Sequence, residues 1–384
     1  GSSILSFFYF CFSFFRMGTT GLIAQAYGKK DYLEIEHINK KNLFFAVICG
    51  LICIPSLSII TNMSINIFSD NIIIQNYAQS YLNIRIFGSP ATFINFVILG
   101  VLLGSNKPWK IFKLVLFMNC LNIFLDLFLG MYLGLNLIGI AYGTIISEYA
   151  GVFLGLFYIN NISPLRNLFN LKNIFRNKFY LIFKTNINLF IRTLLILISI
   201  LMFTAIGSKL GETVLAANAI LIIFQMFLSY SLDGFAQAAE VLIGNEYGKR
   251  NKNNIIKIII SSGIISFIFA LIYSLIFYYF AVNIILLITS LEEVIVEINK
   301  YIFWIVLSPL ISFLSFLLDG VFIGSNKTKI MRNSVIISFI IYLVCLMILV
   351  PIYANHGLWA SFIIFMLFRG LLLLIKYKSV YNFL

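Results

Sequence analysis

Residues 100–107 read Gly-Val-Leu-Leu-Gly-Ser-Asn-Lys, and residues 320–327 read Gly-Val-Phe-Ile-Gly-Ser-Asn-Lys, so six of eight positions are identical at a spacing of 220 residues. The same spacing relates Tyr-Gly-Lys-Lys at 27–30 to Tyr-Gly-Lys-Arg at 247–250. Long apolar runs flank each copy. Two copies of one unit in apolar surroundings predict a membrane protein built from two related halves.

The composition excludes an ordinary soluble protein. Of 384 residues, 61% are hydrophobic and 11% are charged, against about 25% charged residues in soluble domains. The formal net charge of +13 would suit nucleic-acid binding, but the basic residues stand in short clusters between long apolar runs. That pattern is typical of a membrane protein with basic cytoplasmic connectors. We therefore expect a lipid bilayer around the chain and no nucleic-acid partner.

Apolar segments long enough to cross a bilayer, about 20 residues each, predict an all-α polytopic membrane protein. Five segments form an N-terminal lobe at 1–159, a polar and basic cytoplasmic linker follows at 160–179, and six segments form a C-terminal lobe at 180–384. The predicted spans are 3–26, 43–61, 80–104, 110–133, 136–159, 180–206, 213–243, 255–288, 295–324, 331–350 and 357–376.

The repeat also predicts the number of helices in the intact protein. Tyr27 and Gly28 end the first predicted span, whereas Tyr247 and Gly248 end the second span of the other half. Two equal halves would therefore have twelve helices. We expect eleven of the twelve in this chain, with the first helix of the first half missing.

The distribution of Lys and Arg predicts the orientation. Alternate connectors hold 21 of the 27 basic residues, while the intervening connectors hold only Lys209 and Lys300. The basic connectors are 27–42, 105–113, 160–184, 245–257, 325–332 and the residues after 375. By the positive-inside rule these face the cytoplasm. We expect a multi-pass protein of the inner (plasma) membrane whose two halves have the same orientation.

One polar cluster within the spans indicates an ion site. Asn119, Asn122 and Asp126 are three and seven residues apart, which places them on one face of a helix. A charge in the bilayer costs about 2.5–3.5 kcal/mol on insertion scales, so Asp126 needs a partner. A carboxylate with two amides could bind a proton or a desolvated cation such as Na⁺. The alternative is a structural hydrogen-bond cluster that joins helices.

Four further polar residues are candidates for substrate contact or gating. Asp233, Gln237 and Glu240 share one helix face, and Glu240 could instead pair structurally with Arg16 or Arg192. The fourth is Asp319, which directly precedes the second copy of the repeat, Gly-Val-Phe-Ile-Gly at 320–324, and has Leu99 as its counterpart in the first half.

Glu148 and the cysteines have simpler interpretations. We expect Glu148 to be the structural partner of a basic helix end. Cys49 and Cys53 share a helix face but have no third ligand nearby in sequence, so we expect buried small side chains and no metal site. The Gly-Ser-Asn-Lys repeats lack the glycine spacing of phosphate loops, and their glycines favour close helix packing.

Four groups of motifs resemble the MATE family of multidrug and toxic-compound exporters, and most of all its DinF-like branch. They are Phe-Arg-Met-Gly-Thr-Thr-Gly-Leu-Ile-Ala-Gln-Ala at 15–26, Leu-Asp at 125–126, Leu-Ala-Ala-Asn-Ala at 215–219 and Leu-Asp-Gly-Phe-Ala with a later Ala-Glu at 232–240. The resemblance covers essentially the whole chain.

The resemblance implies two six-helix lobes in a V-shaped arrangement and export of small organic, cationic or amphipathic compounds against inward flow of H⁺ or Na⁺. In similar proteins an N-lobe cation site combines Asp on the first helix with Asn, Asp and Thr on later helices. Asn122, Asp126 and Thr144 match that pattern, and we expect Tyr81 to belong to the same site. We expect a transporter and no enzyme, no cofactor besides the coupling ion, and a monomer.

Three alternatives remain open from the sequence. A lipid-linked precursor flippase of a related fold predicts a strongly cationic central cavity, whereas few basic residues lie within the spans. An integral-membrane transferase would need an acidic or His cluster near one membrane face, which the sequence does not display. A truncated, non-transporting remnant is the third.

Overall fold

A computed structural model describes residues 2–68, 72–163 and 179–381. Every regular element in these ranges is helical, and the prediction of an all-α polytopic membrane protein is confirmed. Most of the predicted linker at 160–179 lies outside the described residues. The chain divides into two compact units, Gly1–Phe190 and Ile191–Leu384, which are described separately below.

Seven helices lie in the first unit before the linker. They are α1 (Ser2–Cys11), α2 (Phe14–Gly28), α3 (Tyr32–Phe68), α4 (Ile72–Arg85), α5 (Ser89–Gly104), α6 (Pro108–Leu125) and α7 (Asn136–Asn160). A 3-10 turn at Ile86–Gly88 joins α4 to α5, where Pro90 begins the next helix. A π-helical segment at Asp126–Tyr132 extends α6. The first predicted span, 3–26, is thus two helices with a break between Cys11 and Phe14.

Five long helices follow the linker. They are α8 (Phe179–Lys209), α9 (Glu212–Gly248), α10 (Lys252–Leu286), α11 (Glu292–Gly324) and α12 (Thr328–Ile375). The unit boundary falls within α8, where Phe190 contacts the rings of Phe12 and Phe14 in the first unit. A short 3-10 helix, Tyr377–Tyr381, ends the described part of the chain.

Ten helical spans in the described ranges are long and apolar enough to cross a membrane. The last of them is α12, and Ala354 breaks it with φ 48° and ψ −123°. The two predicted spans 331–350 and 357–376 fall on either side of this break. Asn218 of α9 exchanges hydrogen bonds of 2.8 and 3.0 Å with Asn355, which fixes the chain directly after the break.

The 220-residue repeat is present in the backbone turns. Lys30 and Arg250 both have φ 58°, and Asn106 and Asn326 have φ 57° and 55°. At the second pair of turns, the amides of Lys107 and Lys327 donate to carbonyls five residues earlier, each at 2.9 Å. A left-handed residue followed by an amide that bonds to the carbonyl five residues earlier is a common way to end a helix, and glycine usually occupies the left-handed position. Identical turns at identical register show that the two units share their local design.

The repeated glycines let helix backbones touch in both units. A Cβ added at Gly100 would lie 2.6 Å from the Arg16 carbonyl oxygen, and one at Gly104 would lie 2.7 Å from that of Thr20. In the second unit Gly320 and Gly324 meet the carbonyls of Ala236 and Glu240. All four contacts are related by the same 220 residues. Small residues permit this close packing where lipid provides no hydrophobic drive.

A second row of small residues packs α7 on its neighbours. Gly139, Gly143, Ser147, Gly151 and Gly155 recur at every fourth position and so share one face. A Cβ added at Gly139 would be 2.6 Å from the Leu129 carbonyl, and one at Gly151 would be 2.7 Å from Met118 Cγ. This row brings α7 against α6 and the π-helical segment. The close approach determines which polar side chains of these helices can meet.

We predict that Gly320→Ala destabilises the protein and that Gly234→Ala does not. The Gly320 Cβ would overlap the Ala236 backbone, which is not a flexible side chain, and overpacking of this kind typically costs about 1–3 kcal/mol. Gly234 lies within α9 with no atom within 4 Å of an added Cβ, so alanine there should gain up to about 1 kcal/mol. Thermal unfolding in detergent measures both variants, and equal melting temperatures would contradict the packing argument.

Candidate functional site

Three polar side chains of the first unit form one hydrogen-bonded cluster. Asn122 Nδ2 donates to Asp126 Oδ1 at 3.1 Å and to Thr144 Oγ1 at 3.3 Å. The Thr144 hydroxyl donates to the carbonyl of Ile140 at 2.9 Å. The Asn122 carbonyl oxygen and Asp126 Oδ2 take no part in these bonds. The cluster therefore presents oxygen acceptors, which are the ligands that hard cations prefer.

The local structure explains why these side chains meet. Asn122 and Asp126 are four residues apart, so both lie on the face of α6 and its π-helical extension that packs on α7. Asp126 begins the π-helical segment, and such segments are often found at functional sites. The absence of a side chain at Gly143 leaves room for the carboxylate, because a Cβ there would be 2.5 Å from Asp126 Oδ1.

A largely buried ion pair lies next to this cluster. Arg85 Nη1 and Nη2 donate to Oε2 and Oε1 of Glu148, each at 3.0 Å. Arg85 is in the last turn of α4, so the expectation that Glu148 pairs with a basic helix end is confirmed. Glu148 follows Thr144 by one helical turn on α7. The Arg85 charge acts on the Asp126 carboxylate, which links the pair electrostatically to the cluster.

Two predicted members of the site lie apart from its hydrogen bonds. Asn119 is exposed on α6 and does not join the cluster. Tyr81 is half-buried on α4, one turn before Arg85, and it interacts with the Arg85 charge. The structure thus brings together Asn122, Asp126 and Thr144. It places Tyr81 beside Arg85 instead.

Asp319 is the centre of a second buried ion cluster, in the second unit. Arg369 Nη2 donates to Asp319 Oδ2 at 2.7 Å, and Arg192 Nη2 donates to the same oxygen. Arg369 is 1% exposed and Asp319 is 4% exposed. Asp319 therefore joins α8, α11 and α12 in this structure. The role of Asp319 in substrate contact or gating stays a prediction.

The remaining candidates lie on α9 in the second unit. Glu240 is 2% exposed, and its backbone carbonyl faces Gly324. Asp233 is half-buried and interacts electrostatically with Arg369. Gln237 is half-buried between them. These side chains share one helix face of the second unit, as their spacing predicts.

Sequence reasoning missed the role of Arg85. The signal was present, because Tyr81 and Arg85 on α4, Asn122 and Asp126 on α6, and Thr144 and Glu148 on α7 are all spaced by four residues. Three helices that each direct two polar side chains to one face predict a shared polar interior. Their pairing across helices requires the tertiary structure.

Within 2–68, 72–163 and 179–381, no group of three or more His, Cys, Asp or Glu side chains could hold a metal ion. All five cysteines are free, and Cys53 is buried while Cys49 is half-buried.

Comparisons with known proteins agree on one family. The MatE family profile matches residues 1–128 and 189–352. DNA damage-inducible protein F of Escherichia coli K12 is 33% identical over 373 residues, which are 97% of this chain and 81% of that protein. The multidrug export protein MepA of Staphylococcus haemolyticus is 26% identical over 261 residues, which are 67% of this chain and 57% of that protein.

A solved structure has the same fold. It is the outward-facing conformation of a multidrug resistance MATE family transporter, at a TM-score of 0.85 and 17% identity, with 100% of this chain and 86% of that chain covered. The chain therefore belongs to the MATE family of multidrug efflux transporters, on its DinF-like branch.

Proposed function

We propose that this protein exports small organic compounds by antiport with H⁺ or Na⁺, and that Asp126, Asn122 and Thr144 bind the coupling ion. The observation that carries the proposal is the hydrogen-bonded cluster of these three side chains within the membrane spans of the first unit. The relatives named as multidrug exporters support the export of organic compounds. The proposed location is the inner membrane, with the basic connectors in the cytoplasm.

The cluster has the chemistry that a coupling site needs. Asn122 uses both amide hydrogens, one toward Asp126 and one toward Thr144, so its carbonyl oxygen remains available. With a carboxylate oxygen of Asp126, this gives two neighbouring oxygen ligands for Na⁺. A proton on Asp126 would instead convert the carboxylate into a hydrogen-bond donor. Either event changes the charge of a group inside the bilayer, where charge is costly.

Ion binding at this site would drive alternating access by shifting a conformational equilibrium. An ion changes the populations of two states only by the difference in its affinity for them. Asp126 lies at the junction of α6 and the π-helical segment, and Thr144 lies on α7. A change in their hydrogen bonds therefore acts on the packing of two helices, which gives the ion different affinities for two arrangements.

An organic cation or amphipathic compound is the proposed substrate class. The chain contains 40 Phe and 20 Tyr, and aromatic faces attract flat organic cations. A cationic substrate moving against an inward proton or sodium flow also requires little fixed positive charge along its route. Three arginines within the described spans fit this requirement, since Arg85, Arg192 and Arg369 are each paired with a carboxylate.

We predict that Asp126→Asn abolishes ion-driven efflux. The substitution preserves the shape of the side chain and removes the charge that would bind the ion. Efflux of ethidium from proteoliposomes under an imposed gradient should fall to the level of protein-free vesicles, while the protein remains folded in detergent. The matched control is Asn119→Ala, which removes an exposed amide from the same helix and should leave efflux unchanged. Normal efflux by Asp126→Asn would contradict the proposed site.

We predict that one imposed gradient, of protons or of sodium, drives ethidium out against its own gradient in vesicles with the wild-type protein. The gradient that works identifies the coupling ion. In antiport, the coupling ion enters the compartment that ethidium leaves. A pH-sensitive or sodium-sensitive fluorophore in that compartment therefore reports the entry of protons or of sodium. Equal dye movement with and without both gradients would contradict antiport.

We predict that the connectors alternate between the two sides of the membrane according to their charge. In a variant without native cysteines, Lys249→Cys should react with an impermeant maleimide only after the cytoplasmic side is opened. Ser290→Cys, in the connector between α10 and α11, should react in intact cells. Labelling of Lys249→Cys in intact cells, with Ser290→Cys protected there, would contradict the proposed orientation.

A further inference from the structure

The Arg85–Glu148 pair is more than a connection between α4 and α7. Both side chains are largely withdrawn from solvent, with 8% and 14% of their surface exposed. Removing two charges from water costs several kcal/mol for each, and apolar side chains of similar volume often join helices equally well. The pair therefore needs a reason beyond stability, and its distinctive property is a fixed charge beside Asp126.

Two hydrogen bonds hold the backbone at the two residues of the pair. The Tyr9 hydroxyl donates to the Arg85 carbonyl at 3.2 Å, and Asn95 Nδ2 donates to the Glu148 carbonyl at 2.9 Å. Gly88 leaves space for the pair, because a Cβ there would lie 2.5 Å from Glu148 Oε2 and 2.7 Å from Arg85 Nη1. Both ends of the bidentate contact are thus anchored through the backbone.

The pair is connected to the candidate ion site by geometry. Glu148 and Thr144 are one turn apart on α7, Thr144 accepts a hydrogen bond from Asn122, and Asn122 donates to Asp126. Because the Arg85 charge acts on the Asp126 carboxylate, the guanidinium is a tethered cation that competes with a mobile cation for the same carboxylate. Glu148 limits that competition by holding both Nη atoms.

We infer that Arg85 and Glu148 are positioning residues that set the cation affinity of the Asp126 site, with Glu148 keeping the Arg85 guanidinium away from the Asp126 carboxylate. This inference rests on the proposed function of Asp126. It assigns a role in ion coupling to two residues that do not themselves bind the ion.

The other titratable groups around the pair do not supply a competing charge. In the described part of the chain, those that interact with Arg85 or Glu148 are the carboxylate of Asp126 and the phenols of Tyr9, Tyr81 and Tyr149. Cys53 of α3 interacts with Tyr9. Phenols and thiols are neutral near pH 7, so the balance at the site is between one guanidinium and two carboxylates.

Glu148→Gln and Arg85→Gln should change ion affinity in opposite directions. In Glu148→Gln the Arg85 guanidinium loses its carboxylate partner. The guanidinium then neutralises the Asp126 carboxylate and weakens cation binding there. Arg85→Gln removes the competitor and strengthens cation binding. A charge several ångströms away at an effective dielectric of about 20 changes affinity by about tenfold or more. The measurement is the NaCl concentration, and separately the pH, that gives half of the ion-dependent rise in melting temperature of the purified full-length protein.

The neutral pair Arg85→Gln/Glu148→Gln is the decisive variant, because it removes both charges and avoids an isolated buried charge that would prevent folding. It should bind the cation more tightly than the wild type, since the repulsion from Arg85 is gone, and less tightly than Arg85→Gln. Arg85→Lys keeps the charge and should retain the ion dependence of the wild type. A purely structural pair would lower melting temperatures without moving the half-effect concentration, and that result overturns the inference.

Asp126→Asn in the same assay separates this inference from the proposed function. Loss of ion-dependent stabilisation in Asp126→Asn, with the wild-type ion dependence in the neutral pair, overturns only the role of Arg85 and Glu148. Ion dependence that persists in Asp126→Asn overturns both. Loss in Asp126→Asn together with opposite shifts in the two single variants supports both.

Discussion

The requirement that every polar group inside a bilayer finds a partner within the protein determines the rest of this structure. Hydrocarbon cannot replace a missing hydrogen bond, so charges inside the protein are stabilised by pairing with each other. Arg85 faces Glu148, and Asp319 faces Arg192 and Arg369. The partner of a polar side chain within the spans therefore indicates the role of that side chain. Asp126 differs from the others, because its hydrogen-bond partner is the neutral amide of Asn122 and its carboxylate is only half-buried.

Close helix packing is the second condition, since polar partners can meet only where helices approach each other. The glycines at 100, 104, 320 and 324 bring backbones into contact in each unit. Gly143 does the same beside the candidate site, where a larger residue would displace the Asp126 carboxylate. The same sequence feature, a small residue at every fourth position, thus supports both the scaffold and the chemistry.

Features that depend on local sequence were predictable, and features that depend on tertiary contacts were not. The repeat at 100–107 and 320–327 predicted equivalent turns, and Asn106 and Asn326 share one backbone conformation. Helical spacing predicted that Asn122 and Asp126 share a face. The break after Cys11 and the π-helical segment at Asp126 leave no mark in hydropathy, because an apolar run continues through both. Likewise, no periodicity relates Arg85 to Glu148, which are 63 residues apart.

The two units use one scaffold for different polar groups, and this difference is the strongest argument for where ion chemistry resides. At the repeat spacing of 220, Asp126 corresponds to Leu346 and Arg85 to Ile305, while Asp319 corresponds to Leu99. Turns and glycine contacts are preserved between the units because both must pack helices in the same way. Charges are not preserved, so packing does not require them. Asp319 has its charge balanced by two arginines, whereas Asp126 in the first unit has a neutral amide as its hydrogen-bond partner and an ion pair next to its cluster. A carboxylate that the scaffold does not need, and that its neighbours do not neutralise, has the properties of a site that binds a mobile cation.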